Sequence, residues 1–504
     1  YFKSPRYGER MAAHWLDVAR FADSHGYLDD KHRDASPWRD WVIEAYNKNL
    51  PYDKFITWQL AGDLLPNATK EQILATGFNR NQKQNTEAGI IPEEFRVEYN
   101  VDRTNTLGTG ILGLTLGCAK CHDHKYDPVS QKDYYSLYAF FNSTFELGSS
   151  NYGNYSNMVP GPTLLLTSDN DDKKIDSLNA VIRYLEQNHQ PEKSGNPQKS
   201  LSQKIIAHLS FDKTEIQKNA KGKPVEAFSN AIQPLQPAFA NRIKSAKGIL
   251  GNALLLDEET SVNFRPYGLG YFERYEPFAI SIWLKAPESF KESAVLHHSD
   301  SRRYGFQGYD VMLFDNKVGF RIMHAYPHDA ISIITNEEIE PGEWYHVAAS
   351  YDGSSRAAGM RIYINGKPAA VTVEYDNLKK NIRSFPDIHK TSALTGLTFG
   401  ARVLEKTMKE AALDEFCLFN NTIDETEAEW LYKNAAVTLY RDHSKALQQK
   451  PDSLMNARMQ LAAVYDSARE AMVMGDLPKP LATHILLRGV YDNYGEEVKP
   501  ETPA

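Results

Sequence analysis

The spacing of the apolar residues changes near residue 205, and this change constrains what the chain can fold into. Before it, apolar residues recur at helical spacing, as at Met11, Trp15 and Val18. After it, short runs alternate with period two and are separated by turn signals such as Asn365-Gly366. We therefore predict a multidomain α + β protein with a mostly helical N-terminal domain, a β-sandwich of the jelly-roll type and a helical C-terminal segment.

The predicted domain boundaries follow these shifts in pattern and composition. Residues 1–150 form the helical domain, and residues 151–204 hold a loop, a charged helix and a linker. The sandwich covers residues 205–435, and residues 436–504 are the start of a second helical domain. A chain of 504 residues is long enough for two to four domains of ordinary size.

Composition argues against nucleic-acid binding and against a membrane-spanning segment. The net charge is −8 and there is no long basic tract, so nucleic acid is excluded, because phosphate binding needs clustered Lys and Arg. No run of 18 apolar residues occurs, so we predict no transmembrane segment in this chain. The chain begins with Tyr1, which favours a processed or truncated product.

Two of the three cysteines fall in one pentapeptide, Cys118-Ala119-Lys120-Cys121-His122. The spacing C-x-x-C-H is the attachment motif of a c-type haem. Two intervening residues let both sulfurs form thioethers with the same porphyrin edge, and the next residue supplies the proximal imidazole. The motif therefore predicts covalent haem, held by Cys118 and Cys121 with His122 on the iron.

Other chemistries use the same residue types. Cys118 and Cys121 could form a redox or structural disulfide. The two cysteines could also bind zinc with His122 and His124, although adjacent ligands such as Cys121 and His122 rarely fit one tetrahedral site. These alternatives stay open on the sequence alone.

A bound haem iron would have a sixth position that is either filled or open. His14 and His25 are candidates for it, with His14 expected to face inward on a helix beside Trp15. His124 lies two residues from His122, so we expect it to hydrogen-bond a haem propionate rather than reach the opposite haem face. Arg20 is one of the cations expected to pair with propionates.

The predicted sandwich offers two kinds of ligand site. Asp212 and Asp414 lie on its first and last strands, which are neighbours in such folds, and they are candidates for calcium. Cys417 alternates with apolar residues and is expected to be a buried thiol. The candidates for sugar binding are Tyr304, Tyr309, Tyr326, His324 and His328.

Several segments of the first 145 residues resemble the cytochrome-like domain first noted in planctomycete proteins. They are SPRYGER at 4–10, HWLD at 14–17, ARFAD at 19–23, RDWV at 39–42, QLAGDLLP at 59–66, ATGF at 75–78 and GCAKCHDHKYDP at 117–128. His25 departs from the pattern, since the family usually has a small polar residue there.

Residues 205–435 resemble the laminin-G-like, concanavalin-A-like jelly roll through FD at 211–212, WYHV at 344–347, YINGK at 363–367 and LDEF at 413–416. Residues 472–489 resemble the start of the helical domain that usually closes these proteins.

The resemblance implies an exported bacterial protein, periplasmic or at the cell surface, and it implies no particular reaction. Our leading hypothesis is a c-type haem protein that transfers electrons to a redox partner protein or acts as a haem-dependent oxidoreductase, with a jelly roll that binds a glycan or a partner. The first alternative is a non-haem carbohydrate-binding protein with a structural Cys/His site. The second is a metal-dependent hydrolase that uses the acidic side chains of the helical domain, among them Asp17, Asp23, Asp40, Asp63 and Asp102.

Overall fold

The chain forms two compact units, one made of Tyr1–Leu166 with Ala468–Ala504 and the other of Thr167–Ser467. The first unit is therefore discontinuous in sequence, unlike the predicted division. The computed structural model describes residues 4–28, 30–87, 89–148, 159–188, 195–218, 224–230, 239–240, 244–256, 262–264, 269–287, 292–300, 305–383, 396–400, 408, 410–435, 439 and 451–503.

The first unit consists mainly of helices, as the apolar spacing predicts. They are α1 (Tyr7–Val18), α2 (Ser36–Asn47), α3 (Tyr52–Ala61), α4 (Lys70–Ala75), α5 (Pro92–Leu107) and α6 (Gln131–Ala139).

The local sequence determines where several of these helices begin. Pro37 occupies the first turn of α2, where its missing N–H is not needed. Thr69 with Gln72, and Ser130 with Asp133, form capping boxes at the starts of α4 and α6.

The helical path of α5 ends before the C-x-x-C-H motif. α5 ends at Leu107, and the chain continues as a π turn over Gly108–Leu112. Gly113 then has φ +70°, a left-handed conformation that side chains disfavour, and this ends the helical path. A short 3₁₀ turn, Leu116–Lys120, carries the start of the C-x-x-C-H motif.

Among the described residues, two apolar clusters stabilise the first unit. One gathers aromatic rings of the first helices, with Trp41 and Phe55 stacked at 5.6 Å between ring centroids. The other packs Tyr134 of α6 against Leu116 and Leu486. The second cluster therefore fixes the 3₁₀ turn of the motif to α6 and to the C-terminal part of the chain.

After β1 (Thr163–Leu166), the chain enters the second unit through α7 (Asp169–Asn188) and α8 (Pro197–Lys204). Most of the second unit is a β-sandwich. Its strands are β2 (Ile205–Lys218), β3 (Pro224–Asn230), β4 (Phe239–Ala240), β5 (Lys244–Lys247), β6 (Asn252–Leu256), β7 (Val262–Phe264), β8 (Phe278–Lys285), β9 (Glu292–Ser299), β10 (Gly308–Phe314), β11 (Lys317–Ala325), β12 (Asp329–Thr335), β13 (Trp344–Tyr351), β14 (Met360–Ile364), β15 (Lys367–Pro368), β16 (Val371–Asn377), β17 (Leu397–Phe399) and β18 (Ala411–Phe419). Helices α9 (Glu425–Lys433) and α10 (Ser453–Ser467) follow, and α10 packs on α7.

The strands form two sheets that face each other, so the predicted sandwich is confirmed. In the described ranges one sheet has the order β16-β12-β11-β10-β9-β17-β7-β4 and the other β15-β14-β13-β8-β18-β2-β3, with β6 beside β18 and β5 beside β6. Apolar side chains of both sheets fill the space between them, including Ile280 and Val347 from one and Val311 and Phe320 from the other.

Two-residue turns close the hairpins where the sequence predicts them. Asp315 and Asn316 both have positive φ, of 45° and 66°, and join β10 to β11. Asn365 and Gly366, at 50° and 78°, join β14 to β15. Positive φ at both central positions is the type I′ geometry, whose twist matches that of paired strands.

The end of the chain completes the first unit with strands. β19 (Arg469–Met472) pairs antiparallel with β1, and β20 (Thr483–Leu486) pairs with β21 (Tyr494–Val498). The helical segment predicted for residues 436–504 was therefore wrong beyond α10. Pro478 and Pro480 explain the difference, because each lacks the N–H that a helix interior requires.

Candidate functional site

The C-x-x-C-H motif lies at the surface of the first unit on an anchored turn. Leu116 and Ala119 are buried, and they leave Cys118 and Cys121 exposed on the opposite side of the turn. Both cysteines are free thiols in the structure. The turn thus presents both sulfurs of the motif outward while its apolar residues hold it to the core.

The C-terminal part of the chain lies against the second cysteine. Cys121 Sγ is 3.5 Å from the carbonyl oxygen of Arg488. A Cβ atom at Gly489, whose φ is +70°, would lie 3.0 Å from the same sulfur. Gln131 Nε2 donates to the carbonyl oxygens of Lys120 and Leu486, at 3.0 and 3.3 Å, and so joins the motif to this segment.

The two histidines of the motif region have different partners. His122 is exposed, and its Nδ1 is 2.7 Å from the carbonyl oxygen of Asp123. A carbonyl only accepts, so Nδ1 carries the proton and Nε2 is left with its lone pair, the arrangement that second-sphere carbonyls give to metal-binding imidazoles. In contrast, His124 Nδ1 accepts from the backbone N–H of Asp127 at 2.8 Å and of Tyr126 at 3.3 Å. His124 therefore shapes the turn that follows the motif.

His14 and His25 differ in exposure. His14 is exposed, so the expectation that it faces inward was wrong, because the buried side of α1 is formed by Ala12 and its helical neighbours. His25 is buried. Within the described ranges, no hydrogen bond or ion pair joins either histidine to Cys118, Cys121 or His122.

His25 lines a cavity of about 560 Å³ that the sequence analysis did not predict. Burial, and then the charges of Arg33 and Lys31, lower the pKa of His25 to about 4, so the ring is neutral. Glu98 of α5 borders the cavity and forms an ion pair of 2.7 Å with Lys120, which lies between the two cysteines. The segments that form this cavity are distant in sequence, and no periodic pattern identifies them.

A buried ionic cluster lies deeper in the first unit. Glu146 contacts Arg103 and, at 3.3 Å, Arg80, and it accepts 2.9 Å hydrogen bonds from Gln82 and Gln84. Burial favours the neutral acid, but the two guanidinium groups outweigh it and hold the pKa of Glu146 below its usual value. This cluster connects α5 to the segments on either side of it, and Arg80 extends it by donating to the carbonyl oxygens of Val473 and Gly161.

The acidic residues proposed for a hydrolase do not converge. Asp102 forms an ion pair of 2.7 Å with Arg20, and Asp40 pairs with Arg39 at the surface. In the part of the chain that the structure describes, no group of three or more His, Cys, Asp or Glu side chains is placed to hold a metal ion.

Asp212 and Asp414 approach the same loop between β5 and β6. β2 and β18 are adjacent, as predicted, with Phe416 opposite Leu209. Asp414 accepts from the N–H groups of Ile249 and Leu250 at 2.9 and 3.2 Å, and burial raises its pKa to about 7. Asp212 accepts from the N–H of Asn252 at 2.9 Å. Both carboxylates thus bind backbone N–H groups of one loop, and the calcium site stays a prediction.

The side chains predicted for sugar binding are mostly buried. Tyr309 donates to the carbonyl oxygen of Gly270 at 2.9 Å, and the Tyr326 ring lies 4.7 Å from the Arg321 guanidinium. His324 and His328 are also buried. The expected exposure was wrong for Tyr309, His324 and His328, whereas Tyr326 is half-buried and Tyr304 lies outside the described residues. Cys417 is buried, as expected.

The second unit has an open cleft of about 450 Å³ in another place. Asn179 and Arg183 of α7, Tyr465 of α10 and Lys379 after β16 line it. Arg458 crosses its floor and donates to Glu186 at 2.9 Å. An aromatic ring with amide and cationic donors around it suits a ligand rich in hydroxyl groups.

Comparisons with known proteins agree with two of the resemblances. Residues 1–146 match the PSCyt2 family model, described as a protein of unknown function (DUF1549), and residues 270–428 match Laminin_G_3, described as the concanavalin A-like lectin/glucanases superfamily. The planctomycete-type N-terminal domain and the laminin-G-like sandwich are thereby confirmed. The first description assigns no haem and no reaction.

Solved structures give a more distant likeness. The binding domain of Paraclostridial Mosquitocidal Protein 1 has 17% identity and a TM-score of 0.33, over 46% of this chain and 52% of that one. The botulinum neurotoxin serotype G binding domain has 14% identity and a TM-score of 0.33, over 45% and 50%. The serotype D ligand binding domain in complex with N-acetylneuraminic acid has 14% identity and a TM-score of 0.30, over 47% and 52%. The chain thus spans about half the length of these structures.

No curated protein matches the chain. None of the helices that the structure describes has the length and apolar character needed to cross a bilayer.

Proposed function

We propose that this chain is an exported c-type haem protein that transfers electrons, and that its sandwich binds a glycan. The observation that carries the haem assignment is the geometry of the motif. Two free thiols, with two residues between them, face outward beside an imidazole whose Nδ1 is held by a carbonyl and whose Nε2 is left to bind a metal.

The residues of the motif fit a covalently attached haem. Cys118 and Cys121 are exposed, so each sulfur can reach a vinyl group and form a thioether. Leu116 and Ala119 fix the turn, and the carbonyl of Asp123 orients His122. When bound, haem supplies one-electron chemistry at its iron, and its axial ligands and surroundings set the potential. Attachment at C-x-x-C-H takes place outside the cytoplasm, which favours a periplasmic or cell-surface location and a redox partner protein there.

The test is to express the full chain, with an export signal, in a host competent in cytochrome maturation. We expect coloured protein with a sharp reduced α-band, and a tryptic peptide spanning both cysteines that is heavier by one haem. Cys118→Ser should remove one thioether and lower the yield of coloured protein, whereas Cys417→Ala should keep both the colour and the peptide mass, because Cys417 is buried in the second unit. Colourless protein with the two thiols free or joined in a disulfide would refute the haem proposal.

The glycan proposal rests on the cleft beside α7 and α10. Its Tyr465 ring, the Asn179 amide and the Arg183 and Lys379 cations can contact the faces and hydroxyl groups of sugars. The description of the matched model as a lectin and glucanase superfamily supports the same class of ligand.

A glycan array probed with the full chain tests this second part. We expect binding that Arg183→Ala weakens at least fivefold and that Lys433→Ala, an exposed change on α9, leaves unaltered. Equal binding by both variants would exclude the cleft. An array without signal would exclude the lectin role and leave the haem proposal intact.

A further inference from the structure

The cavity of about 560 Å³ in the first unit is lined by a buried guanidinium, that of Arg33, which has no direct ion pair among the described residues. Arg33 is only 4% exposed, and its guanidinium donates to backbone carbonyl oxygens, including that of Gln82 at 2.8 Å and that of Ala22 at 3.3 Å. Among the described residues, no carboxylate lies within ion-pair distance of it. Carbonyl groups orient a guanidinium but do not neutralise it, and an unpaired buried charge strongly disfavours the folded state.

Other cations surround Arg33. Burial lowers its pKa to about 10, and the positive charges of Arg80 and Arg20 add to this effect. Arg20 also lines the cavity, with Lys83 on another part of its wall. Arg80 is paired with Glu146 at 3.3 Å, whereas Arg33 has no ion pair in the part of the chain that the structure describes.

The carboxylates on the same wall have other partners. Asp102 pairs with Arg20 at 2.7 Å, and Glu98 pairs with Lys120 at 2.7 Å. Asp30 accepts from the N–H of Gly26 at 2.8 Å. Asp23, Asp30 and Asp102 therefore act on Arg33 only through longer-range charge attraction.

Several donors at the cavity have no partner among the described residues. They are Nε of Arg33, Nε and Nη1 of Arg20, and Nδ2 of Asn81. Oε1 of Gln82 and Nδ1 of His25 on the same wall are also without a partner among the described residues. Buried polar groups in proteins are nearly always hydrogen-bonded, so this set of unused groups indicates that a ligand completes them. Tyr27, which is 42% exposed, adds an aromatic ring to this wall.

The backbone is also arranged around this cavity. Arg20 and Tyr27 have φ of 61° and 56°, a left-handed conformation that side chains rarely adopt. Such strained residues persist where the surrounding structure requires them, often at binding sites. Here the strain places both side chains on the wall of one cavity.

We propose that this cavity binds a small ligand through an oxyanion group, either a planar carboxylate or a tetrahedral sulfate or phosphate, held by Arg33, Arg20 and Asn81. The bound oxyanion supplies the negative charge that Arg33 lacks and accepts from the unused donors, in the way that arginine recognises carboxylates and phosphates elsewhere. This site is separate from the cleft of the second unit, and it does not depend on the attachment of haem.

The test is calorimetric titration of the full chain with sulfate, phosphate and glucuronate at constant ionic strength in chloride buffer. We expect 1:1 binding of at least one of them, and the tightest ligand distinguishes a tetrahedral from a planar oxyanion. Arg20→Gln should weaken that binding at least tenfold. Arg39→Gln, which removes an exposed cation of the same unit, should leave it unchanged.

Arg20→Gln is preferred to a change at Arg33, since Arg33 also joins several backbone segments and its removal would endanger folding. The circular dichroism spectrum of each variant verifies its fold, and a rise in the unfolding midpoint of the unchanged chain on addition of the bound anion gives a second readout. No binding of any of the three anions at millimolar concentration would overturn the proposal. Equal weakening by Arg20→Gln and Arg39→Gln would also overturn it, because binding would then follow overall charge.

Discussion

Replacing Glu146 with glutamine isolates the energetic role of the buried ionic cluster. The substitution keeps the size of the side chain but removes the negative charge that Arg103 and Arg80 share. One glutamine atom becomes an NH₂ donor, and if it takes the place of Oε1 it faces the amide donors of Gln82 and Gln84. Two buried guanidinium groups then lack their counter-charge. Removing one partner of a buried ion pair costs about 3–5 kcal/mol, and we expect Glu146→Gln to destabilise the first unit by about this amount.

Hydrogen exchange followed by mass spectrometry measures this loss locally, in peptides from α5. A destabilisation of about 3 kcal/mol corresponds to roughly hundredfold faster exchange of the slowest amides, since every 1.4 kcal/mol is a factor of ten. Glu44→Gln is the control, because Glu44 pairs with Lys48 at the surface of α2, where such pairs contribute about 0.3–0.5 kcal/mol.

The effect of pH has a defined sign. The pKa of Glu146 is lower in the folded protein than its ordinary value of 4.5, so its contribution to stability is present above that value and is lost as the pH falls through the folded pKa. The difference between the wild type and Glu146→Gln should therefore shrink below about pH 4. If Glu146→Gln exchanged like Glu44→Gln at pH 7, the reasoning about buried charge would be refuted.

Three further predictions concern the second unit. Calcium added at pH 8 should raise its unfolding midpoint, and Asp414→Asn should remove this response; the same midpoint with and without calcium in the wild type would exclude the calcium site. Burial lowers the pKa of His346 to about 3, so the unfolded chain takes up a proton that the folded one refuses, and stability should decline as the pH falls from 6.5 toward 3. His346→Leu should flatten this decline in urea unfolding between pH 7 and pH 4, and an unchanged slope would contradict it. Arg321→Met should destabilise the sandwich by about 3–5 kcal/mol because it leaves Asp310 buried without its 2.7 Å partner, whereas the double variant Arg321→Met with Asp310→Leu should lie within about 1–2 kcal/mol of the wild type. Equal losses in the single and double variants would show that the cost does not come from an unpaired charge.

Local sequence signals predict much of this fold. The β10–β11 hairpin follows from Asp315-Asn316 between two apolar runs, and α2 follows from Ser36-Pro37 before a helical pattern. β9 and β12 were not predicted. Both lie inside a sheet and are buried on both faces, so their sequences lack clean alternation of apolar and polar residues.

The candidate sites were predictable only where one short segment contains them. The spacing of Cys118, Cys121 and His122 predicts the chemistry of the motif. The contact of Cys121 with Arg488 cannot be predicted in this way, because it forms only when the C-terminal segment folds back onto the first unit. The oxyanion cavity combines residues near 20, 33, 81 and 102. The hydrogen bonds of Arg33 to backbone carbonyl groups far along the chain produce no periodic pattern in the sequence, so they could not be predicted from it.

The discontinuity of the first unit imposes an order on its assembly during synthesis. The strand partner of β1 and the residues that contact Cys121 are translated only after the whole sandwich, with Arg488 following Cys121 by 367 positions. A growing chain therefore presents the motif while its final neighbours do not yet exist. Chemistry at the Cys121 sulfur has the most space in that interval, before Arg488 and Gly489 pack beside the thiol.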